Sequence, residues 1–419
     1  MSSAICRQSS RVGLKMIMLG DVFIALPGGP GTGKTTTLRG ILKVFEGRGL
    51  EVALTAPTGR AAKRMSELTG REAQTIHRLL EVEWDRNDKP VFSRNRRNPI
   101  SANAVIVDEL SMVDITVFSS LLDALPIGCR LIMVGDSDQL PPVGAGNVLH
   151  DLINSKALPV VELNEVFRQA MESLIVTNAH KIVRGEMPDV QSMDKDFFFL
   201  ERPQPYSAAE TVAQLCAVRL PNAYKYDPTQ DIQVLCPSRK GESGTVNLNK
   251  LLQGRINPAA KHKREHSFGQ RVFREGDKLM QIKNNYNIQW KSGETDGMGI
   301  FNGDIGILER IDEAAHVLKV RFDDKVAEYP YDGHTELEHA YAITVHKSQG
   351  NEFEAVVMPV TGVVEQLAYR NLLYTAVTRA KKLIVLVGSR QMIQKMVANN
   401  SKAKRYSALK NFIMLGDSE

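Results

Sequence analysis

Short apolar runs alternating with helical stretches set the rhythm of the first 165 residues. A run at 22–26 leads into a glycine-rich loop, a helical stretch follows over about 35–45, and Gly47 and Gly49 supply stop signals. Further β-branched runs at 51–55, 104–107, 130–134 and 160–163 are apolar at consecutive positions, which predicts strands covered on both faces by helices, as in a parallel sheet. Residues 1–165 are therefore expected to form one α/β domain. Similar runs at 232–235, 355–360 and 383–387, with helical stretches between them, notably 366–379, predict a second α/β domain over 166–267 and 332–419. Between 268 and 331 the pattern changes. Glycines punctuate alternating segments such as FREGDKLMQI, MGIFNGDIGILERI and HVLKVRFDD, the pattern of antiparallel strands joined by turns, and a small β-barrel inserted in the second domain is expected. Residues 84–98 (WDRNDKPVFSRNRRN) and the basic cluster at 261–265 stand outside these patterns, as excursions or solvated loops.

Composition narrows the class without naming a function. A chain of 419 residues with 43% hydrophobic and 24% charged positions can bury two or three cores and lacks the bias of a disordered chain. The net charge of +5 permits a polyanionic partner without requiring one. Cys6, Cys129, Cys216 and Cys236 show no CxxC pair and no metal-ligand spacing, so reduced, packed thiols are expected. The apolar stretch at 16–26 is broken by Gly20 and Asp21 and is too short to span a bilayer, so a cytoplasmic protein with no membrane partner is expected.

Chemistry concentrates in a few segments. Residues 28–35 read GGPGTGKT, the phosphate-loop pattern GxxxxGK[ST], placed between a strand and a helix as the chemistry requires. The loop residues Gly29, Pro30, Gly31, Thr32 and Gly33 and the helix start at Lys34, Thr35 and Thr36 are the expected ATP-binding segment, whose backbone N–H groups (Pro30 has none) suit the phosphates. Lys34 would reach the β- and γ-phosphates and the Thr35 hydroxyl would hold Mg²⁺. Asp108 and Glu109 follow the run at 104–107. One carboxylate is needed at the metal and another to accept the proton of attacking water, so Asp108 is assigned to Mg²⁺ and Glu109 to general base. Residues 135–146 (GDSDQLPPVGAG) form a polar loop after the next strand, with Gln139 a candidate to reach the γ-phosphate.

Together with 28–35 and 108–112 (DELSM), that loop resembles the superfamily 1 helicases, and among them the RecD type. The resemblance runs along nearly the whole chain: APTGRAAKRM at 56–65, TIHRLL at 75–80, LNEVFRQ at 163–169, YAITVHKSQGNEF at 341–353 and LLYTAVTRAKK at 372–382 follow in the family's order. It implies two RecA-like P-loop domains with parallel sheets and an ATP-dependent helicase or translocase on single-stranded DNA and single-strand/duplex junctions. It also implies 5′-to-3′ polarity, a role in DNA repair or recombination, and recombination or repair proteins as partners. It implies that Arg168 and Arg379 are arginines directed at the γ-phosphate, that Gly350 and Glu352 lie on the nucleotide side, and that Gln8 reads adenine. Thr58, His77, Asn147, Thr344, His346 and Ser348 are its candidates for gripping a single strand, with helix capping or core packing as the alternative for each.

The family's strand-separating pin falls between TIHRLL and the acidic motif, where 84–98 lies. Asn87, Asp88 and Pro90 suit a hairpin turn, with Arg94, Arg96 and Arg97 near the fork; a disordered basic loop is the alternative. RecD-type helicases of the longer kind carry a further N-terminal region, and 27 residues precede Gly28, so a minimal motor, a fragment or one subunit of something larger is expected. The competing function is a DNA-dependent ATPase subunit of a recombination nuclease complex that unwinds weakly alone.

Overall fold

The structure, a computed structural model, describes residues 23–84, 90–167, 170–191, 196–401 and 409–416. Its contacts divide the chain into two compact units, Met1–Arg184 with Ser401–Glu419, and Gly185–Asn400. The first is built on a five-stranded parallel sheet in the order Phe23–Pro27, Arg130–Gly135, Ala104–Val107, Val52–Ala56, Ala73–Thr75. The strand Ala104–Val107 shows why its sequence is apolar throughout. Ala104 and Ile106 face one core with Leu38, Ile41 and Phe45, while Val105 and Val107 face another with Phe118, Leu121 and Leu131. Helix Lys34–Glu46 buries Leu38, Ile41, Leu42 and Phe45, a spacing that places all four on one stripe.

Three boundaries differ from the sequence expectation. The division falls at 184/185 rather than 165/166, because residues after 165 fold back on the first unit: Phe167 N–H donates to Gly31 O (3.1 Å), and the His180 imidazole lies 3.3 Å from Pro30 O. The C-terminal helix Leu409–Gly416 also belongs there, with Leu409 and Ile413 packed on the core of Val105, Phe118 and Leu149. Residues 160–163 are reduced to two parallel bridges, Ala25 to Val160 and Gly28 to Leu163, since Pro27 has no N–H to continue the ladder.

The second unit carries its own five-stranded parallel sheet, ordered Ala342–Thr344, Ile232–Cys236, Phe353–Val360, Ala380–Gly388, Phe197–Glu201. Its edge strand Phe197–Glu201 was not anticipated. The helix expected over 366–379 is shorter, Arg370–Val377, preceded by a 3₁₀ turn at Glu365–Leu367. The break comes at Ala368, whose carbonyl accepts from Asn399 Nδ2 (2.8 Å) instead of continuing a helix.

Between Lys278 and His339 lies a seven-stranded antiparallel sheet around Leu279, Ile300, Leu308, Leu318, Val320 and Tyr329. Val317–Phe322 alternates half-buried and buried positions, and a two-residue turn, Asp323 and Asp324, joins it to Lys325–Pro330. A small β-barrel is expected at 268–331; the antiparallel strands found there run from Glu265 to His339, as the pair Glu265–Phe268 and Arg271–Arg274 followed by the seven-stranded sheet. Cys129, Cys216 and Cys236 are free thiols, each buried; Cys6 lies outside the described residues. Among the described residues no helix is long and apolar enough to cross a membrane.

Candidate functional site

In the first unit, the phosphate-loop motif connects strand Phe23–Pro27 to helix Lys34–Glu46. Gly28 N–H donates to Gly135 O (3.0 Å), tying the loop to the end of the neighbouring strand. Gly31 and Gly33 adopt φ of +72° and +84°, a region where side chains are strained, and a Cβ on Gly33 would also overlap the Phe167 ring. Lys34 Nζ donates to Gly28 O (2.6 Å) and Gly29 O (2.9 Å), and Thr32 Oγ1 donates to Gly29 O (2.8 Å), so the lysine is held over the loop it would share with phosphate. No side chain caps the helix, whose first N–H groups are therefore left to the loop. Thr35 is half-buried and Thr36 exposed at this helix start, and Gly29 and Pro30 are half-buried in the loop. A glycine cradle, an ammonium and a hydroxyl at a helix N-terminus fit a nucleoside triphosphate with its metal.

Asp108 and Glu109 stand at the end of the buried strand Ala104–Val107. Asp108 N–H donates to Thr55 O (3.0 Å), and Glu109 N–H donates to Asp108 Oδ1 (2.8 Å). Glu109 has φ +54°, an unusual conformation for a non-glycine residue and one that turns the chain sharply into the 3₁₀ turn Leu110–Met112. Burial pushes the Asp108 carboxyl up to about 6, the adjacent Glu109 charge adds to this, and the Glu109 N–H, Lys34 and Arg64 oppose it. A carboxylate so placed gains from a bound cation. Gln139 is buried, with Nε2 donating to Asp136 Oδ2 (3.3 Å) and Oε1 left without a partner, an orphan acceptor beside the strand end.

The strand-gripping candidates are placed unevenly. Thr58 Oγ1 accepts from Ala61 N–H (3.2 Å) and caps helix Gly59–Thr69. His77 lies half-buried in the short helix Ile76–Leu79, its ring 5.8 Å from Phe92; burial lowers its pKa, against the pull of Asp114. Asn147 precedes helix Val148–Ser155 without capping it. At 84–98 the structure shows a short antiparallel hairpin stem, Val82–Trp84 against Pro90–Phe92. Asn87 and Asp88 lie outside the described residues. Arg94 pairs with Glu81 (2.7 Å) and Arg96 with Asp123 (2.7 Å).

In the second unit, Thr344 Oγ1 accepts from Lys347 N–H (3.4 Å) and caps the 3₁₀ turn Val345–Ser348. His346 is half-buried there, but Ser348 is fully buried with its hydroxyl donating to Val345 O (2.8 Å), so it builds the turn instead of facing solvent. Gly350 has φ +74° and Glu352 is half-buried. Arg379 is 2% exposed, donates to Asn351 O (3.2 Å), and leaves Nε buried without a partner. Arg379 is thus gathered with the 350–352 turn. Arg168 and Gln8 lie outside the described residues.

Three family models match consecutive parts of the chain: an AAA domain over residues 15–145, the SH3 domain of ATP-dependent RecD-like DNA helicases over 248–322, and a UvrD-like helicase C-terminal domain over 339–387. The RecBCD enzyme subunit RecD of Mycobacterium tuberculosis is 31% identical over 437 aligned positions, covering 94% of this chain and 71% of that protein. The chain belongs to the RecD-like helicase family. The ATP-dependent RecD2 DNA helicase of Deinococcus radiodurans is 36% identical over 94% of this chain, which spans 50% of the length of that relative. The fold is also that of Pif1 helicases. A Bacteroides Pif1 in complex with ADP-AlF3 and ssDNA superposes with a TM-score of 0.54 at 18% identity over 98% of this chain and 97% of that one. The Candida albicans enzyme gives 0.52 at 19% identity over 98% and 99%. The segment 248–322 that matches the RecD-like SH3 domain overlaps the stretch 268–331 in which glycine-punctuated alternation predicts antiparallel strands.

Two residues that meet the phosphate loop in this RecD-like chain, Phe167 and His180, and one that acts on Asp108, Arg64, are not among the candidates read from the sequence. Phe167 sits inside LNEVFRQ, next to the candidate Arg168. Arg64, whose charge acts on Asp108, lies within the quoted APTGRAAKRM. His180, 150 positions from Pro30, belongs to no motif that could have flagged it.

Proposed function

We propose that this chain is an ATP-hydrolysing motor that moves along single-stranded DNA and opens duplex at a fork, with 5′-to-3′ polarity, in DNA repair or recombination. The observation that carries the reading is the first unit's centre: the loop that holds Lys34 follows strand Phe23–Pro27, and Asp108 and Glu109 follow Ala104–Val107, one strand away in the same parallel sheet, so the ammonium and the two carboxylates lie at the same end of that sheet. In this reading Gly29 to Thr36 wrap the phosphates, Lys34 exchanges its two carbonyl partners for phosphate oxygens, and Thr35 and Asp108 hold magnesium. Bound magnesium would supply charge neutralisation at the phosphates. Glu109 would accept the proton of the attacking water, and the orphan Oε1 of Gln139 would accept from that water and orient it. Arg379 with its free Nε, Gly350 and Glu352 are the second unit's candidates for nucleotide contact; Arg168 and Gln8 enter on the family resemblance alone.

Thr58, His77, Asn147, Thr344 and His346 are proposed to touch the strand, chiefly at phosphates, so that contact does not depend on base identity. The hairpin stem at 82–92 supports a strand-separating pin. The relatives named as RecBCD subunits favour a second reading, a motor subunit that unwinds only within a complex. ATP hydrolysis with and without single-stranded DNA, in the natural chain and in Lys34→Ala, tests the first reading. Strong stimulation by DNA, lost in the variant, is expected; equal rates without DNA would refute coupling to a strand. Unwinding of a forked duplex by the isolated chain separates the two readings.

A further inference from the structure

We propose that Glu338 is a release element for the DNA strand, a carboxylate that competes with a backbone phosphate for Arg239 and Lys347. The proposal rests on the strand-binding reading above. Its basis is a three-residue ion cluster that no motif predicted. Glu338 lies in the short strand Leu337–His339, paired to the antiparallel sheet through Met280. Its Oε1 accepts from Arg239 Nη2 (2.8 Å) and its Oε2 from Lys347 Nζ (2.8 Å), so one carboxylate holds two cations.

Topology brings those cations to one place. Arg239 comes three residues after strand Ile232–Cys236, and Lys347 three residues after Ala342–Thr344. The two strands are adjacent and parallel, with Cys236 opposite Thr344. Both cations therefore emerge at the carboxyl edge of the sheet, the edge that carries Thr344 and His346. Lys347 belongs to the very turn that Thr344 caps. Arg239 is 60% exposed, Lys347 30% and Glu338 25%, so the cluster is open to a polyanion. Burial pushes the Glu338 carboxyl up, but the hydrogen bond and charge of Lys347 and then Arg239 outweigh it, and the group stays ionised.

Partly exposed ion pairs are weak in water, and when an arriving phosphate takes over one cation the other still holds the Glu338 carboxylate, so no charge is left unpaired. When the phosphate departs, Glu338 reclaims the cation. A motor must let go of each phosphate it grips, and two unopposed cations would hold it too long. The carboxylate makes capture and release nearly balanced. The competing role is a structural staple joining the antiparallel sheet to the parallel one, which predicts no change in DNA binding.

The test is binding of a fluorescent single-stranded oligothymidine to the full chain across a salt series, with dissociation followed by stopped flow. Glu338→Gln is expected to bind about threefold to tenfold more tightly at low salt and to release the strand more slowly. The slope of log affinity against log salt should steepen by about 0.7 for each additional phosphate that the freed cations neutralise. Glu338→Asp, which keeps the charge, should return the slope toward that of the natural chain. Unchanged or weaker binding by a folded Glu338→Gln, with an unchanged slope, overturns the proposal. Should that variant unfold, Lys347→Gln is expected to flatten the slope by about 0.7 in the natural background, and no change would again overturn it. Failure of the natural chain itself to bind oligothymidine would sink the strand-binding reading and this inference with it, whereas binding by the natural chain with an indifferent Glu338→Gln sinks this inference alone.

Discussion

Asp277 offers the sharpest test of what holds the second unit's motifs in place. Its carboxylate is 0% exposed and accepts from five donors: Gln253 Nε2 (2.7 Å), Arg274 N–H (2.8 Å) and His339 Nε2 (3.1 Å) at Oδ2, and Asn257 Nδ2 (2.8 Å) and Tyr341 OH (3.0 Å) at Oδ1. These donors come from helix Thr245–Ile256 and its end, from the antiparallel sheet, and from Tyr341, which opens YAITVHKSQGNEF. Asp277→Ala leaves buried donors unanswered at about 1–3 kcal/mol each, and after partial relaxation and water entry the net loss should be about 3–5 kcal/mol. Asp277→Asn keeps the volume but turns one acceptor into a donor facing donors, for a loss of about 2–3 kcal/mol.

The assay is urea unfolding followed by Trp290 fluorescence in a Trp84→Phe background, since Trp290 packs against the core of the antiparallel sheet. A loss below about 1 kcal/mol in both variants would refute the reasoning, for it would mean that the five bonds are replaceable by water. The pH dependence carries its own sign. Burial pushes the Asp277 carboxyl up, but the His339 and Asn257 hydrogen bonds, the His339 charge and the Arg274 N–H bring it below its ordinary value. A depressed folded value means the contribution is present above the unfolded value, about 3.9, and is lost as pH falls through the folded one. The stability gap between the natural chain and Asp277→Asn should therefore be full at neutral pH and narrow only in strong acid.

Three further outcomes follow from the first unit. Asp108, with its carboxyl raised to about 6, destabilises the nucleotide-free protein once ionised. Asp108→Asn should raise the melting temperature of that form above pH 6, with the gain gone below about pH 4, while Glu109→Gln should retain nucleotide binding, read by fluorescent-nucleotide titration, and lose about 10²–10⁴-fold in hydrolysis. Replacing residues 84–90 by a Gly-Ser turn should abolish fork unwinding and leave DNA-stimulated ATP hydrolysis largely intact; unwinding that survives would remove the hairpin from the mechanism.

Much of this molecule was legible before its fold. Consecutive apolar positions in Ala104–Val107 announce burial on both faces, because a strand between two helical layers has no polar side. GGPGTGKT, in turn, places a cradle, an ammonium and a hydroxyl within one loop, where local geometry follows from the chain itself. Local pattern could not say that Phe167 and His180 meet that loop, that Leu409 and Ile413 return to the first unit, or that Ser348 turns its hydroxyl inward. Nor could it join Arg239 to Glu338 across 99 positions, or bring five donors to Asp277. Contacts of that kind depend on which strand edges and helix ends tertiary packing brings together, and the energy of a buried charge is set by all its neighbours at once. Sequence determined the chemistry available at each motif; only the fold decided which groups are free to meet a ligand and which are already held by the protein.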